Sequence, residues 1–258
     1  MTDERVVQVA AVADVHVGRD SAGIMRRHLH DLDEHADVLL LAGDLTTCGD
    51  PDEARVLARE LDCCTTPKIA VLGNHDHHAD RGRDIRAVLE RAGVTVLEGD
   101  ATTVDVRGVR VGVAGTTGFG GGFAGACASD FGEPEMKAFV RHSRRLADSL
   151  EAALASLDAD VRIALMHYAP VEDTLRGERL EIYPFLGSYL LGEAVDRAGA
   201  DLALHGHAHA GAEKGVTPGG IHVRNVAQPV IRHAYNVYCL DAGAARRDGV
   251  AAPARARA

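Results

Sequence analysis

The chain has 258 residues, 46% of them hydrophobic and 26% charged. That is enough apolar side chain to offset the entropy of ordering one large α/β or β-sandwich domain, and it excludes a disordered chain. Lys and Arg number 28 against 38 Asp and Glu, a formal net charge of -10, so the surface repels phosphate backbones and long nucleic acid is an unfavourable partner.

A small anionic substrate remains compatible with this charge if the site carries its own positive charge, which bound metal ions would supply. Fourteen His against five Cys point to nitrogen ligands. The acidic N-terminus leads into an apolar stretch broken at Asp14, unlike a secretory signal. No apolar run approaches the ~20 residues of a membrane span. Cys48, Cys63, Cys64, Cys127 and Cys239 are odd in number and lack paired metal-binding spacing, which suits reduced thiols. The expectation is a cytoplasmic protein without a membrane partner; the sequence leaves its oligomeric state open.

Val6 to Ala13 reads as a buried strand ending at Asp14. A helix should follow, capped by Asp20 or Ser21, with Met25, Leu29 and Leu32 on one face. Val38 to Ala42 is the next strand and ends at Gly43-Asp44. Asp50-Pro51-Asp52-Glu53 has the pattern of a capped helix start, running to about Asp62. Lys68 to Leu72 is a third strand, stopping at Gly73-Asn74-His75-Asp76, and a helix carrying Ile85, Val88 and Leu89 leads to the short strand Val94 to Leu97.

Thr103 to Val106 and Val109 to Ala114 flank Arg107-Gly108 as a β-hairpin, which breaks the strand and helix alternation and favours mixed sheets. Gly115 to Gly132 is a Gly-rich loop. Pro134 to Leu157 should hold one long or two shorter helices, followed by the strand Val161 to Met166 and His167. An irregular stretch to Gly187, a helix from about Ser188 to Ala198 and the strand Asp201 to Leu204 lead into His205-Gly206-His207-Ala208-His209. Ile221 to Val226 and Tyr235 to Leu240 are closing strands. Residues 1–241 therefore read as a single domain, and residues 242–258, rich in Ala and Arg, as a disordered tail.

Five predicted strands thus end in potential metal ligands: Asp14 and His16, Asp44, Asn74 and His75, His167, and the His205 to His209 cluster. Open α/β sheets gather functional groups outside the carboxyl ends of their strands. Carboxylate, imidazole and amide donors without thiolate favour divalent Mn, Fe, Zn, Co or Ni over copper(I) or iron-sulfur. Asp14 and His16 sit two apart, as do His207 and His209, so an extended backbone points each pair to one side. Together these donors suffice for two metal ions.

In their order, Asp14-Val15-His16, Gly43-Asp44, Gly73-Asn74-His75-Asp76, His167 and Gly206-His207-Ala208-His209 resemble the motifs of the calcineurin-like metallophosphoesterases. The resemblance implies a four-layer α-β-β-α sandwich of two mixed β-sheets flanked by helices. It implies one metal held by Asp14, His16 and His209, a second by Asn74, His167 and His207, and Asp44 bridging both. His75 would be no ligand; it would face the scissile phosphate and assist the leaving oxygen. The implied activity is hydrolysis of a small phosphate ester, a phosphodiester in preference to a phosphomonoester, with a non-catalytic metal-binding scaffold as the remaining alternative.

Other polar residues have plainer readings. His205 reads as a strand-end His packed on the core, His77 and His78 as exposed loop residues, and Arg141, Arg144 and Arg145 as a charged helix face. Asp76 could orient His75 or bind a backbone amide. The Gly118 to Gly122 run with Phe119 and Phe123 is either a flexible loop or a substrate wall. Tyr168 stands where many family members continue with a His-Pro-Pro-like sequence, and this departure keeps substrate class from being transferred.

Overall fold

The computed structural model describes residues 5–243. The expected C-terminal tail falls, from residue 244 on, outside the described residues. Strand β1 (Val6–Val12) leads to two single helical turns, α1 (Arg26–Leu29) and α2 (Leu32–His35), where one helix was expected. Asp31 leaves the helical region at φ -108°, ψ 11° and divides them. Met25, Leu29 and Leu32 are all buried, so the helical spacing survives across the break.

Neither Asp20 nor Ser21 caps α1. The Ser21 hydroxyl accepts from the Gly18 N–H instead, and the free N–H groups of Met25 and Arg26 go to the Glu60 carboxylate.

Strand β2 (Val38–Ala42) precedes α3 (Pro51–Leu61), whose start is the expected capping box: Asp50 accepts from the Asp52 N–H, Pro51 opens the helix and Glu53 turns back. Then come β3 (Lys68–Val71), α4 (Gly82–Arg91), β4 (Val94–Leu97) and the hairpin β5 (Asp100–Val106) and β6 (Val109–Thr116). The Gly-rich loop contains a two-residue hairpin, β7 (Gly122–Phe123) and β8 (Ala126–Cys127). One continuous helix, α5 (Pro134–Ala155), precedes β9 (Val161–Met166).

The stretch expected to be irregular carries two 3-10 turns and α6 (Tyr183–Leu186). The chain continues through α7 (Tyr189–Ala198), β10 (Leu202–His205), β11 (Lys214–Val216), β12 (His222–Asn225), α8 (Gln228–Ile231) and β13 (Asn236–Asp241). Strand β11 and helix α8 were not foreseen; each is too short to leave a periodic signal.

The strands form two mixed sheets, one ordered β13-β1-β2-β3-β4 and the other β11-β12-β10-β9-β6-β5. In the first, β13 runs antiparallel to β1 and the other pairings are parallel. In the second, the hairpin partner β5 and the edge strand β11 run antiparallel to their neighbours.

Alternation along each strand separates the layers. Val7, Val9, Ala11, Val38 and Leu40 meet Val111, Val113, Ile163 and Leu204 between the sheets. Leu39 and Leu41 face the other way and pack with Leu57 and Ile85 under α3 and α4, while Ala164 and Ala203 pack with Leu150 and Leu191 under α5 and α7. The result is the four-layer α-β-β-α sandwich. The carboxyl ends of β1, β2 and β3 from one sheet and of β9 and β10 from the other meet at one rim. No helix among the described residues is long and apolar enough to cross a membrane.

Candidate metal centre

At that rim the backbone leaves regular structure at the residues that carry donors. Asp14, His16, Asp44 and His207 adopt φ of 58°, 42°, 50° and 68°, left-handed conformations that are uncommon for residues with a side chain and that cluster at functional sites. Neighbouring loops hold them there. The Asp14 and His16 N–H groups donate to the carbonyl oxygens of Gly43 and Asp44, and the His207 N–H donates to the Asp14 carboxylate at 2.9 Å, joining the two sheets.

Two motif glycines are set by close approach. A Cβ at Gly206 would stand 2.3 Å from Asp14 Oδ2, and one at Gly73 would stand 2.2 Å from Asp44 Oδ1.

The side chains converge in two groups. Asp14, His16, Asp44 and His209 each offer a donor atom within 4.8 Å of the others, and so do Asp44, His167 and His207; Asp44 belongs to both. Asn74 joins the second group, its Oδ1 2.9 Å from His167 Nε2. Asp14, Asp44 and His167 are buried, His16 and His207 half-buried, and His209 more open. The structure thus brings together the seven residues that the resemblance implies as ligands. His75 stands beside the first group, its ring centroid 4.5 Å from that of His16.

The donor chemistry fits cations. His167 Nδ1 donates to the Ala42 carbonyl oxygen at 2.9 Å, so Nε2 of the neutral ring is an acceptor, yet it faces Asn74 Oδ1 and, at 3.3 Å, Asp44 Oδ1. Acceptors that meet in this way require a proton or a metal ion between them. Without a metal the proton supplies the charge: burial lowers the His167 pKa, but Asp44 reverses this and carries it to about 9.

Burial likewise works to raise the Asp44 pKa, but His167 and the His75 N–H hold this carboxyl well below the usual range. The hydrogen bond to Asp14 raises His209, while burial lowers His16 and takes His207 down to about 3. His207 Nε2 donates to the Phe185 carbonyl oxygen at 3.2 Å, which leaves Nδ1 as the nitrogen with a free lone pair.

The family model for calcineurin-like phosphoesterases matches residues 7–211. The chain belongs to this family. No curated protein sequence matches significantly. Among solved structures, a phosphopantetheinyl hydrolase from Mycobacterium tuberculosis superposes with a TM-score of 0.65 at 16% identity, over 87% of this chain and 90% of that one. A putative 5'-nucleotidase from Staphylococcus aureus gives 0.58 at 16% identity, over 92% of this chain and 51% of its own. A Thermus thermophilus protein gives 0.53 at 17% identity, over 95% and 98%. These likenesses show a shared fold.

Around the centre of this calcineurin-like phosphoesterase the secondary assignments also resolve. His205 is fully buried, with Nδ1 donating to the Gly206 carbonyl oxygen and Nε2 2.8 Å from the Thr174 hydroxyl; burial lowers its pKa to about 4. His77 and His78 are exposed.

Asp76 does not orient His75. It accepts from the N–H groups of Leu45, Thr46 and Gly73 and from the Thr46 hydroxyl, tying the end of β2 to the end of β3. The group that orients His75 is the Thr47 carbonyl, 2.7 Å from Nδ1. Residue identity carries no signal for a backbone acceptor.

The Gly-rich loop and the stretch after His167 pack on each other: Gly121 N–H donates to Pro184 O and Gly122 N–H to Gly187 O. The stretch is also fastened to the His207 loop, with Glu178 accepting from Ala210 N–H and Thr174 O accepting from Ala212 N–H. Phe119, Tyr168 and His207 form a run of ring contacts, 5.7 and 4.3 Å between centroids, that walls the second group.

Proposed function

We propose that the chain hydrolyses a small phosphate ester, with a phosphodiester preferred to a phosphomonoester, at a centre holding two divalent metal ions. In this reading Asp14, His16 and His209 hold one ion, Asn74, His167 and His207 the other, and Asp44 bridges them. The observation that carries it is the membership of Asp44 in both donor groups. Such a pair of ions would acidify a water between them and polarise the phosphoryl oxygens.

The protein's own groups do the rest. Ala42 and Phe185 carbonyls fix the tautomers of His167 and His207, so the lone pairs of both rings turn inward. Thr47 accepts from His75 Nδ1–H, so the imidazolium form would carry on Nε2 the proton given to the departing ester oxygen, an assistance of typically ~10²–10⁴-fold. Two features favour a diester. The assigned site residues include no Lys or Arg to balance the second charge of a monoester dianion, and the wall formed by Tyr168 and Phe119 gives a second ester substituent an apolar surface.

The test is hydrolysis of bis-p-nitrophenyl phosphate beside p-nitrophenyl phosphate by metal-stripped protein reloaded with manganese, with Asp44→Asn as control. Metal-dependent cleavage that is faster for the diester and lost in the control is expected. Faster cleavage of the monoester would reverse the preference. Two bound metals without cleavage of either ester would favour a scaffold.

A further inference from the structure

Tyr168 occupies an unusual position for a tyrosine. Its N–H and that of His167 both donate to the Thr117 carbonyl oxygen, at 3.1 and 3.0 Å, which fixes the two residues as a pair. The Tyr168 ring lies 4.3 Å from that of His207 and is 8% exposed. A tyrosine buried to this degree ordinarily engages its hydroxyl. Tyr183 does so, donating to the Leu175 carbonyl oxygen at 3.0 Å. The Tyr168 hydroxyl has no hydrogen-bond partner among the described residues, yet it is not sealed from solvent as the Tyr238 hydroxyl is. The Tyr168 ring also lies 5.6 Å from that of His167, so this free O–H belongs to a ring that contacts both imidazoles of the second donor group.

Two protic side chains therefore flank the centre at different places. His75 adjoins His16 of the first group, and Tyr168 adjoins His207 of the second. Such separation suits two different oxygens of one phosphoryl group.

Building on the phosphoester-hydrolase reading, we propose that Tyr168 is a substrate-contacting residue whose O–H donates a hydrogen bond to a non-bridging phosphoryl oxygen. A phenol is suited to this task because it remains a donor at neutral pH and, unlike a Lys or His, brings no charge that would oppose nearby cations. The bond strengthens as negative charge gathers on that oxygen, and no proton is transferred. The leaving group is untouched by this contact, whereas His75 acts on the leaving oxygen. The two residues should therefore differ in how their loss depends on the ester.

Tyr168→Phe keeps the ring and its packing and removes only the donor. The experiment compares manganese-loaded wild type and Tyr168→Phe by metal content, by calorimetric titration with inorganic phosphate, and by hydrolysis of aryl phosphodiesters with leaving phenols of rising pKa. Expected are equal metal content, phosphate binding weakened roughly 5–10-fold, the size of one net hydrogen bond, and kcat lowered ~10²–10³-fold by a constant factor along the series.

Phosphate binding and turnover equal to wild type would overturn the assignment. So would a loss of metal from the variant, which would make Tyr168 a support for His207. Phosphate binding that depends on Tyr168 in a wild type that cleaves no ester would uphold the contact and overturn the hydrolase reading. Absence of phosphate binding to either loaded protein would overturn both.

Discussion

His75 Nδ1 lies 2.7 Å from the carbonyl oxygen of Thr47. Only an N–H can face a carbonyl at that distance, so Nδ1 carries a proton and the ring's orientation is fixed, and Nε2, 3.9 Å from Asp44 Oδ2, is the atom available to substrate, carrying a transferable proton in the imidazolium form. His75→Ala should retain both metals and lose roughly 10²–10⁴-fold in kcat on an alkyl phosphodiester, whose leaving oxygen needs a proton. On a p-nitrophenyl ester the loss should be much smaller. Equal losses on the two esters would show that His75 does not assist the leaving group.

Asp44→Asn should remove metal from both groups at once. The variant is expected to fold, because an Asn oxygen can still accept the His75 N–H that Asp44 Oδ1 now accepts at 2.8 Å. What it lacks is the charge that two cations would share. Elemental analysis after reloading should show metal content falling well below that of wild type, while far-ultraviolet circular dichroism is unchanged. Retention of one tightly held ion would mean that Asp44 serves a single group.

Much of the fold and centre was legible because it rests on local pattern. The strands β1, β2 and β9 are mostly apolar runs, the Asp50 to Glu53 box announces its helix, and each proposed ligand stands within four residues of a strand's end. What escaped the sequence depends on contacts between distant segments. Glu60, in the last turn of α3, closes the start of α1 from 34 residues away, so the nearer candidates Asp20 and Ser21 misled. The acceptors that orient His75, His167 and His207 are the carbonyls of Thr47, Ala42 and Phe185. Any residue supplies a carbonyl, and no composition reveals which one will be in place.

Gly206→Ala tests the tightness of the centre. The new Cβ would meet Asp14 Oδ2 at 2.3 Å and Ala13 Cβ at 2.5 Å, both on the end of β1, where little can yield. Displacement of the Asp14 carboxylate by a fraction of an ångström or more should lower kcat/KM by ~10²-fold and weaken the metal that Asp14 and His209 are proposed to hold before the other. Metal titration of the variant should show two unequal affinities. Wild-type metal binding would mean that the rim relaxes freely.

Glu60 offers a test of stability separate from the centre. Its buried carboxylate accepts from the N–H groups of Gly23, Met25 and Arg26 at 2.7, 3.0 and 3.0 Å. Burial works to raise its pKa, yet these donors overcome that and hold it below the ordinary 4.5. A carboxyl whose folded pKa is depressed stabilises the fold above its unfolded pKa and loses that contribution as pH falls through the folded value. Glu60→Ala should therefore cost about 1–3 kcal/mol at neutral pH, mostly from backbone donors left without a partner. The difference from wild type should narrow below pH 4.5. Urea denaturation at neutral pH and at successively lower pH gives both quantities. A difference that stays constant through the acid range would show that the charge of Glu60 does not support α1.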